Sequence, residues 1–207
     1  MTIAISKVEA AGRIPPRERI LQTAADLFYR HGIRAVGVDA IAEAAGTNKM
    51  TLYRHFASKD ALVAEYLRKV AREVEGLWVK LDTAFPGDPR AQLRAWLKRM
   101  GEHLANPDQR GCAFGNAAVE LPERDHPARP VIEEFKRAQR ANLARLCGAA
   151  GVAQPEALAE ELFMLLDGAR ISVQSTGRDG IGARFERMGE AMIAARCTPD
   201  AASADNA

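Results

Sequence analysis

The chain has 207 residues, of which 47% are hydrophobic and 27% charged, and its formal net charge of +2 excludes a polycation. It is long enough for one large domain or two small ones. No segment approaches the roughly 18 consecutive apolar residues that a membrane span needs, and the N-terminus lacks the apolar stretch of a secretion signal. These features predict a cytoplasmic protein without a membrane partner.

The positive charge is concentrated at the N-terminal end. Residues 1–60 contain nine Lys/Arg and six Asp/Glu, so the other 147 residues contain 20 and 21. An excess of cations at one end suits a domain that meets a polyanion, followed by a domain that does not.

The first predicted elements are three short helices. Residues 1–13 are predicted to form a flexible arm, and Pro15-Pro16 is predicted to begin a helix that ends at Gly32. Apolar spacing predicts a second helix from about residue 38, and Gly46 is expected to end it in a left-handed turn. Thr47 and Asn48 can cap a third helix, about 48–56. Residues 37–56 therefore read as helix, turn and helix.

The remaining chain also has helical periodicity, and no segment alternates strongly with period two. Ser58 is predicted to cap a long fourth helix that "PGDP" stops. Further helices are predicted at about 90–105, 112–120, 128–148, 155–175 and 182–196, with a polar tail at 198–207. The fold class is therefore all-α, with about nine helices.

A helical wheel of the third predicted helix separates an inward face from an outward face. Leu52 and Phe56 point toward the core, whereas Met50 and Arg54 lie opposite them. Arg54 can read guanine through two parallel hydrogen bonds, and Met50 can contact a thymine methyl. The remaining candidates flank this face and are predicted to contact phosphate oxygens or, for Lys49, bases as well: Lys49, Thr51, Tyr53, His55 and Lys59.

A family resemblance adds to this interpretation. "ILQTAADLFYRHG", "IAEAAG", "TLYRHF" and "SKDAL" together resemble the DNA-binding domain of TetR/AcrR-type transcriptional regulators over about residues 16–67. The resemblance implies DNA contacts at Lys49, Met50, Thr51, Tyr53, Arg54, His55 and Lys59. It also implies a helix-turn-helix domain at 14–67 and an effector-binding and dimerisation domain at 68–197. Val36 and Gly37 depart from the hydroxyl residues often found there, and Met50 replaces a frequent small residue.

The last two predicted helices are expected to pair with a second copy across a two-fold axis, as a four-helix bundle. Small residues there, such as Gly189, would permit close approach. The alternative is that their apolar stripes close the core of a single chain. The residues predicted at the dimer interface are Leu162, Leu166, Ala169, Val173, Phe185, Met188 and Met192.

An effector pocket is predicted between the DNA-binding domain and the dimer surface, as a mixed apolar cavity with a few polar anchors. Ordinary core packing is the alternative for each of its residues. The candidates are Trp78, Trp96, Met100, His103, Phe114, Asn116, Phe135, Gln139 and Met164. Asp167 and Arg170 are expected to form an ion pair.

These features predict a homodimeric, ligand-released repressor of a palindromic operator. A ligand-dependent activator and a helical interaction module without DNA binding are the alternatives. Four scattered histidines and the lack of H-E-x-x-H, G-x-S-x-G or a phosphate-binding glycine loop argue against an enzyme. No cofactor or metal is expected. Cys112, Cys147 and Cys197 are expected to be free and mostly buried, with a redox sensor at Cys112 as the alternative.

Overall fold

The computed structural model describes residues 14–197, so the predicted arm at 1–13 and tail at 198–207 lie outside the described residues. The described residues form nine α-helices, and their one isolated β-bridge pairs Val152 with Cys197. The all-α prediction is therefore confirmed. The helices are α1 (Pro16–His31), α2 (Val38–Ala44), α3 (Lys49–His55), α4 (Lys59–Ala84), α5 (Pro89–Ala105), α6 (Ala113–Glu120), α7 (Ala128–Ala149), α8 (Pro155–Thr176) and α9 (Ile181–Ala194).

The chain divides between Tyr66 and Leu67 into two compact units, here called the N-terminal and the C-terminal unit. Helix α4 begins in the first unit and continues without a break into the second. Over residues 14–197, no helix combines the length and the apolar character that crossing a membrane requires.

The N-terminal unit is built on one apolar face of α1. Ile20, Ala24 and Phe28 are buried at helical spacing, and the ring of Phe28 lies 5.8 Å from that of Tyr66. Arg19 Nε donates a hydrogen bond of 2.7 Å to the carbonyl of Ala45, just beyond the end of α2. That carbonyl has no partner within its own helix, so Arg19 ties α1 to the turn before α3.

The turn between α2 and α3 forms as its residues predict. Gly46 has φ of 61°, a left-handed conformation that costs glycine little. The side chain of Asn48 accepts a hydrogen bond of 2.9 Å from the backbone N–H of Thr51, which caps α3. Leu52 and Phe56 are buried, as the helical wheel predicted. The short-range pattern therefore determines how α3 is oriented within its unit.

The core of the C-terminal unit centres on three aromatic rings. Trp96 on α5 lies 6.3 Å from Phe163 on α8 and 6.2 Å from Phe185 on α9, measured between ring centroids. Tilted and edge-on rings at such separations attract each other as well as burying apolar area. Leucines of α5, α7 and α8 complete the cluster. Helices α5, α8 and α9 are thus joined through one buried tryptophan.

Helices α5 and α9 approach each other closely because glycines lie at their crossing. A Cβ atom added to Gly182 would collide with the carbonyl oxygen of Gly101, and one added to Gly189 would lie 2.5 Å from Leu97 Cδ2. Gly189 was predicted to permit approach of a second chain. That prediction is wrong, because the residue is buried against α5 of its own chain.

We expect Gly182→Ala to lower the free energy of unfolding by about 1–3 kcal/mol, because the added methyl group must displace the backbone of α5. Gly76→Ala is the matched control, since an added Cβ there meets no atom within 4 Å. The control should raise the free energy of unfolding by about 0.5–1 kcal/mol, through the better helix propensity of alanine. Urea denaturation followed by circular dichroism measures both; equal effects would contradict the close crossing.

Most of the residues predicted at the dimer interface belong to the core of the single chain. Leu162, Leu166, Val173 and Phe185 are buried within their own chain, so a second chain cannot contact them. Ala169 and Met192 pack against the same cluster. Met188, 45% exposed, is the predicted interface residue that remains open to solvent. The prediction is wrong for the buried residues, because the more apolar stripe of each helix is needed to close the monomer.

Candidate functional site

The outward face of α3 carries three exposed side chains that differ in chemistry. Met50 is 81% exposed, Tyr53 is 43% exposed, and Arg54 is also exposed. With its seven residues, α3 is about 10 Å long, which suits a major groove about 12 Å wide. This face can therefore present a guanidinium, a phenol and a flexible apolar side chain to base edges and phosphates.

The end of α3 is held in place by α1 and α4. The Arg17 guanidinium lies 5.1 Å from the centre of the Phe56 ring and donates a hydrogen bond of 3.0 Å to Glu65. A cation over an aromatic face is attracted by the ring quadrupole. These contacts fix Phe56 under α3. The role of Arg17 could not be predicted from local sequence, because its partners lie 39 and 48 residues further along the chain.

Lys49 has an acidic neighbour from the preceding helix. Its Nζ lies 3.1 Å from a carboxylate oxygen of Asp39, which is in the first turn of α2. No residue of α3 is acidic, so this carboxylate reaches the outward face from α2. A surface ion pair of this kind is weak, so a phosphate group can compete with Asp39 for Lys49.

His55 is less available than predicted. The residue is only partly exposed, and its Nε2 is enclosed without a hydrogen-bond partner among residues 14–197. That nitrogen cannot reach a phosphate group in this conformation. Thr51 and Lys59, the other two flanking candidates, are partly exposed at the start of α3 and of α4. The exposed candidates on α3 are therefore Lys49, Met50, Tyr53 and Arg54.

The predicted effector residues fall into several separate environments of the C-terminal unit. Trp78 donates a buried hydrogen bond of 3.0 Å to the side chain of Gln139, which joins α4 to α7. Trp96 lies within the aromatic core described above. The side chain of Asn116 donates to the carbonyl of Arg110 at 3.1 Å and so stabilises the loop before α6.

The remaining effector candidates are divided between α5, α6, α7 and α8. Phe114 and Phe135 stack with ring centroids 3.6 Å apart and an interplanar angle of 4°. Met100 and His103 are partly buried on α5. Met164 is 73% exposed, so its prediction as a pocket residue is wrong. Helical spacing alone could not indicate which face of α8 points inward.

A cleft of about 580 Å³ lies between α7 and α8. None of the nine predicted effector residues lines it. The charged side chains around it are Lys136, Arg137, Arg140, Glu133, Glu156 and Glu160. Side chains of both charges therefore line this cleft, together with Ile132, Ala141, Ala144 and Ala159.

The three cysteines are free, as predicted, but only Cys147 is buried. Tertiary structure brings the segments of Cys147 and Cys197 together. Val152 forms the isolated β-bridge with Cys197 and donates its N–H to the Cys147 carbonyl. Burial, followed by the nearby Cys197 thiol, raises the pKa of Cys147 to about 11. A thiol that stays protonated is a weak nucleophile, so Cys147 is a packing residue.

Within residues 14–197, no group of three or more His, Cys, Asp and Glu side chains is arranged to hold a metal ion. The side chains that gather on one exposed surface are those of α3. The N-terminal unit therefore offers a compact, mostly cationic and aromatic surface on a helix whose other side is anchored in the core.

Comparison with known proteins agrees with this geometry. The profile of "Bacterial regulatory proteins, tetR family" matches residues 20–66. The HTH-type transcriptional repressor KstR2 of Rhodococcus jostii is 38% identical over 87 residues, which are 42% of this chain and 42% of that protein. The HTH-type transcriptional activator FasR of Mycolicibacterium smegmatis is 35% identical over 101 residues, 47% and 45% of the two chains.

The described fold extends the similarity beyond the N-terminal unit. The crystal structure of SCO4454, a TetR-family transcriptional regulator from Streptomyces coelicolor, superposes with a TM-score of 0.83 and 29% identity, covering 88% of this chain and 96% of that one. The chain spans less than half the length of KstR2 and FasR. Proteins of this kind are transcription regulators rather than enzymes. The chain is therefore similar to TetR-family transcriptional regulators, in sequence over residues 20–66 and in fold over most of its length.

Proposed function

We propose that this protein binds a specific DNA sequence through α3 and regulates transcription in the cytoplasm. The observation that carries the proposal is the position of Arg54, exposed on α3 opposite the buried Leu52. A short helix that follows a glycine turn and a preceding helix has the arrangement that places side chains in the major groove. Arg54 would read guanine, while Lys49, Thr51 and Tyr53 would position the helix on the phosphates.

The regulator acts as a homodimer in this proposal, because one such helix reads only a few base pairs. Support comes from a second, exposed stripe on α8. Met164 and Ile171 are 73% and 67% exposed, and Gly168 lies between them with open space around it. Met188 on α9 adds a further exposed apolar side chain. Paired with the same faces of a second copy, α8 and α9 would form a four-helix bundle.

A ligand-released repressor is the mode of action that we propose. KstR2 is described as a repressor and FasR as an activator, so an effector-dependent activator is the alternative. Helix α4 runs through the boundary between the two units, which makes it the candidate element for transmitting effector binding. An effector can shift the equilibrium between a conformation that binds the operator and one that does not only if it binds one of the two more tightly.

Selection of bound duplexes from a random DNA library tests the proposal most directly. The expected result is a palindromic sequence, since a two-fold dimer reads two half-sites separated by about 34 Å or a multiple of it. Transcription from a reporter that carries this operator then distinguishes repression from activation. Recovery of unrelated sequences at every round would reject sequence-specific binding.

Arg54→Ala is expected to weaken operator binding by about 1–3 kcal/mol and to relax the preference at one base pair of each half-site. The physical reason is the loss of two parallel hydrogen bonds to guanine. Gel-shift titration at one fixed salt concentration measures the change, because phosphate contacts make affinity salt-dependent. Arg94→Ala, at an exposed position on α5, is the control and should bind like the wild type.

A further inference from the structure

Arg170 on α8 and His103 on α5 lie on the core-facing sides of their helices. Arg170 follows the buried Leu166 by four residues and precedes the buried Val173 by three. His103 follows the buried Trp96 by seven residues. Side chains at these spacings share one face of a helix. Helices α5 and α8 are packed against each other, and both polar side chains are partly buried.

The guanidinium of Arg170 keeps one buried donor unused. Its Nη1 donates to Asp167 at 3.1 Å, and its side chain is only 17% exposed. Its Nε is enclosed and has no acceptor within residues 14–197. Arginine cannot release its proton to avoid the cost of burial, so this N–H is satisfied only when an acceptor arrives.

The charges around Arg170 do not balance. Lys136 Nζ bonds both carboxylate oxygens of Asp167, at 3.0 and 2.7 Å, so two cations share one carboxylate. Arg178 lies near the same region and donates to backbone carbonyls of Leu104, Pro107 and Gln109. The two cations and one carboxylate of the Lys136–Asp167–Arg170 cluster therefore carry a formal net charge of +1.

His103 indicates the sign of the local electric field. Burial, followed by the nearby cationic Arg170, Arg99 and Arg178, lowers its pKa to about 4. The imidazole is therefore neutral at pH 7 and carries one N–H donor. The neutral His103 and the Arg170 guanidinium, which has an unused N–H and belongs to a cluster with net positive charge, together offer two hydrogen-bond donors to an anionic ligand.

We propose that Arg170 and His103 bind the carboxylate of a small molecule with an apolar body, and that this molecule is the effector. The identification as effector rests on the regulator function proposed above. Arg170 supplies Nε–H to one carboxylate oxygen, and His103 supplies its N–H to the carboxylate. The apolar body packs among the side chains that flank them, Met100, Leu104 and Val173. The ligand also neutralises the excess charge of the cluster.

Isothermal titration calorimetry with 4-phenylbutanoate, and with 4-phenylbutanamide as the neutral analogue, tests the site without DNA. The carboxylate should bind saturably at one site per chain, and the amide at least about tenfold more weakly, because charge-assisted hydrogen bonds are the stronger ones. Arg170→Gln should weaken carboxylate binding by at least about tenfold. Arg184→Gln, an exposed arginine on α9, is the matched control and should bind like the wild type.

The proposal is overturned if neither compound binds, if both bind equally, or if Arg184→Gln weakens binding as much as Arg170→Gln. Should Arg170→Gln fail to fold, the contrast between carboxylate and amide on the wild-type protein decides. Since no DNA is present, failure here leaves the DNA-binding proposal intact. A chain that binds the carboxylate through Arg170 but no duplex would reject the regulator proposal alone.

Discussion

Ile171→Glu is expected to convert the proposed homodimer into a monomer and to lower operator affinity by about a hundredfold or more. Ile171 is 67% exposed on the second, exposed stripe of α8, so the substitution does not disturb the core of the chain. At the two-fold axis of the proposed dimer, the introduced glutamate of one chain would lie close to the same glutamate of the other chain, in an otherwise apolar contact. Loss of the second DNA-binding unit removes the gain from bivalency, which is about 10²–10⁴-fold.

Sedimentation velocity measures the oligomeric state, and gel-shift titration on the selected operator measures the affinity. Val79→Glu on α4 is the matched control, because Val79 is also β-branched and 66% exposed. The control should remain dimeric and bind as tightly as the wild type. A dimeric Ile171→Glu protein would show that the exposed stripe of α8 is not the interface.

Trp96→Ala is expected to lower the free energy of unfolding by about 3–5 kcal/mol, the usual cost of removing a buried aromatic side chain. The effect should be this large because Trp96 is 2% exposed and contacts rings from both α8 and α9. A typical domain has only about 5–15 kcal/mol of stability. Urea denaturation at one fixed protein concentration measures the change, because dimerisation makes stability depend on concentration.

Val119→Ala supplies the comparison for Trp96→Ala. Val119 on α6 is 83% exposed, so its truncation should change the free energy of unfolding by no more than about 0.5 kcal/mol. Trp96→Phe should fall between the two, since it retains one ring in the cluster. A Trp96→Ala protein as stable as the wild type would contradict the role of this tryptophan in joining α5, α8 and α9.

The orientation of α3 could be predicted because its signals lie close together in the chain. Gly46, Asn48, Leu52 and Phe56 span eleven residues, and each acts through local backbone geometry or helical spacing. The wheel therefore assigned the inward and outward faces of α3 correctly. Asp39 escaped notice because its ion pair with Lys49 depends on how α2 is placed beside α3.

The two apolar stripes of α8 show that helical periodicity cannot decide which surface covers an apolar face. Leu162 and Leu166 lie on one stripe, Met164 and Ile171 on the other, and both repeat with helical spacing. Periodicity states that residues share a face but not what covers that face. The larger stripe was assigned to the dimer interface, although the single chain needs it to bury its own core.

The order of the helices, the glycine turn, the cap of α3 and the exposed Arg54 follow from residues within one or two turns of each other, because backbone propensity and helical spacing act over that range. The Trp96 cluster, the glycine crossing of α5 and α9, and the charge around Arg170 join residues that are up to 92 positions apart in the chain. Their contacts depend on how the helices pack. Packing depends on the shape and charge of all the surfaces at once, which no local pattern contains.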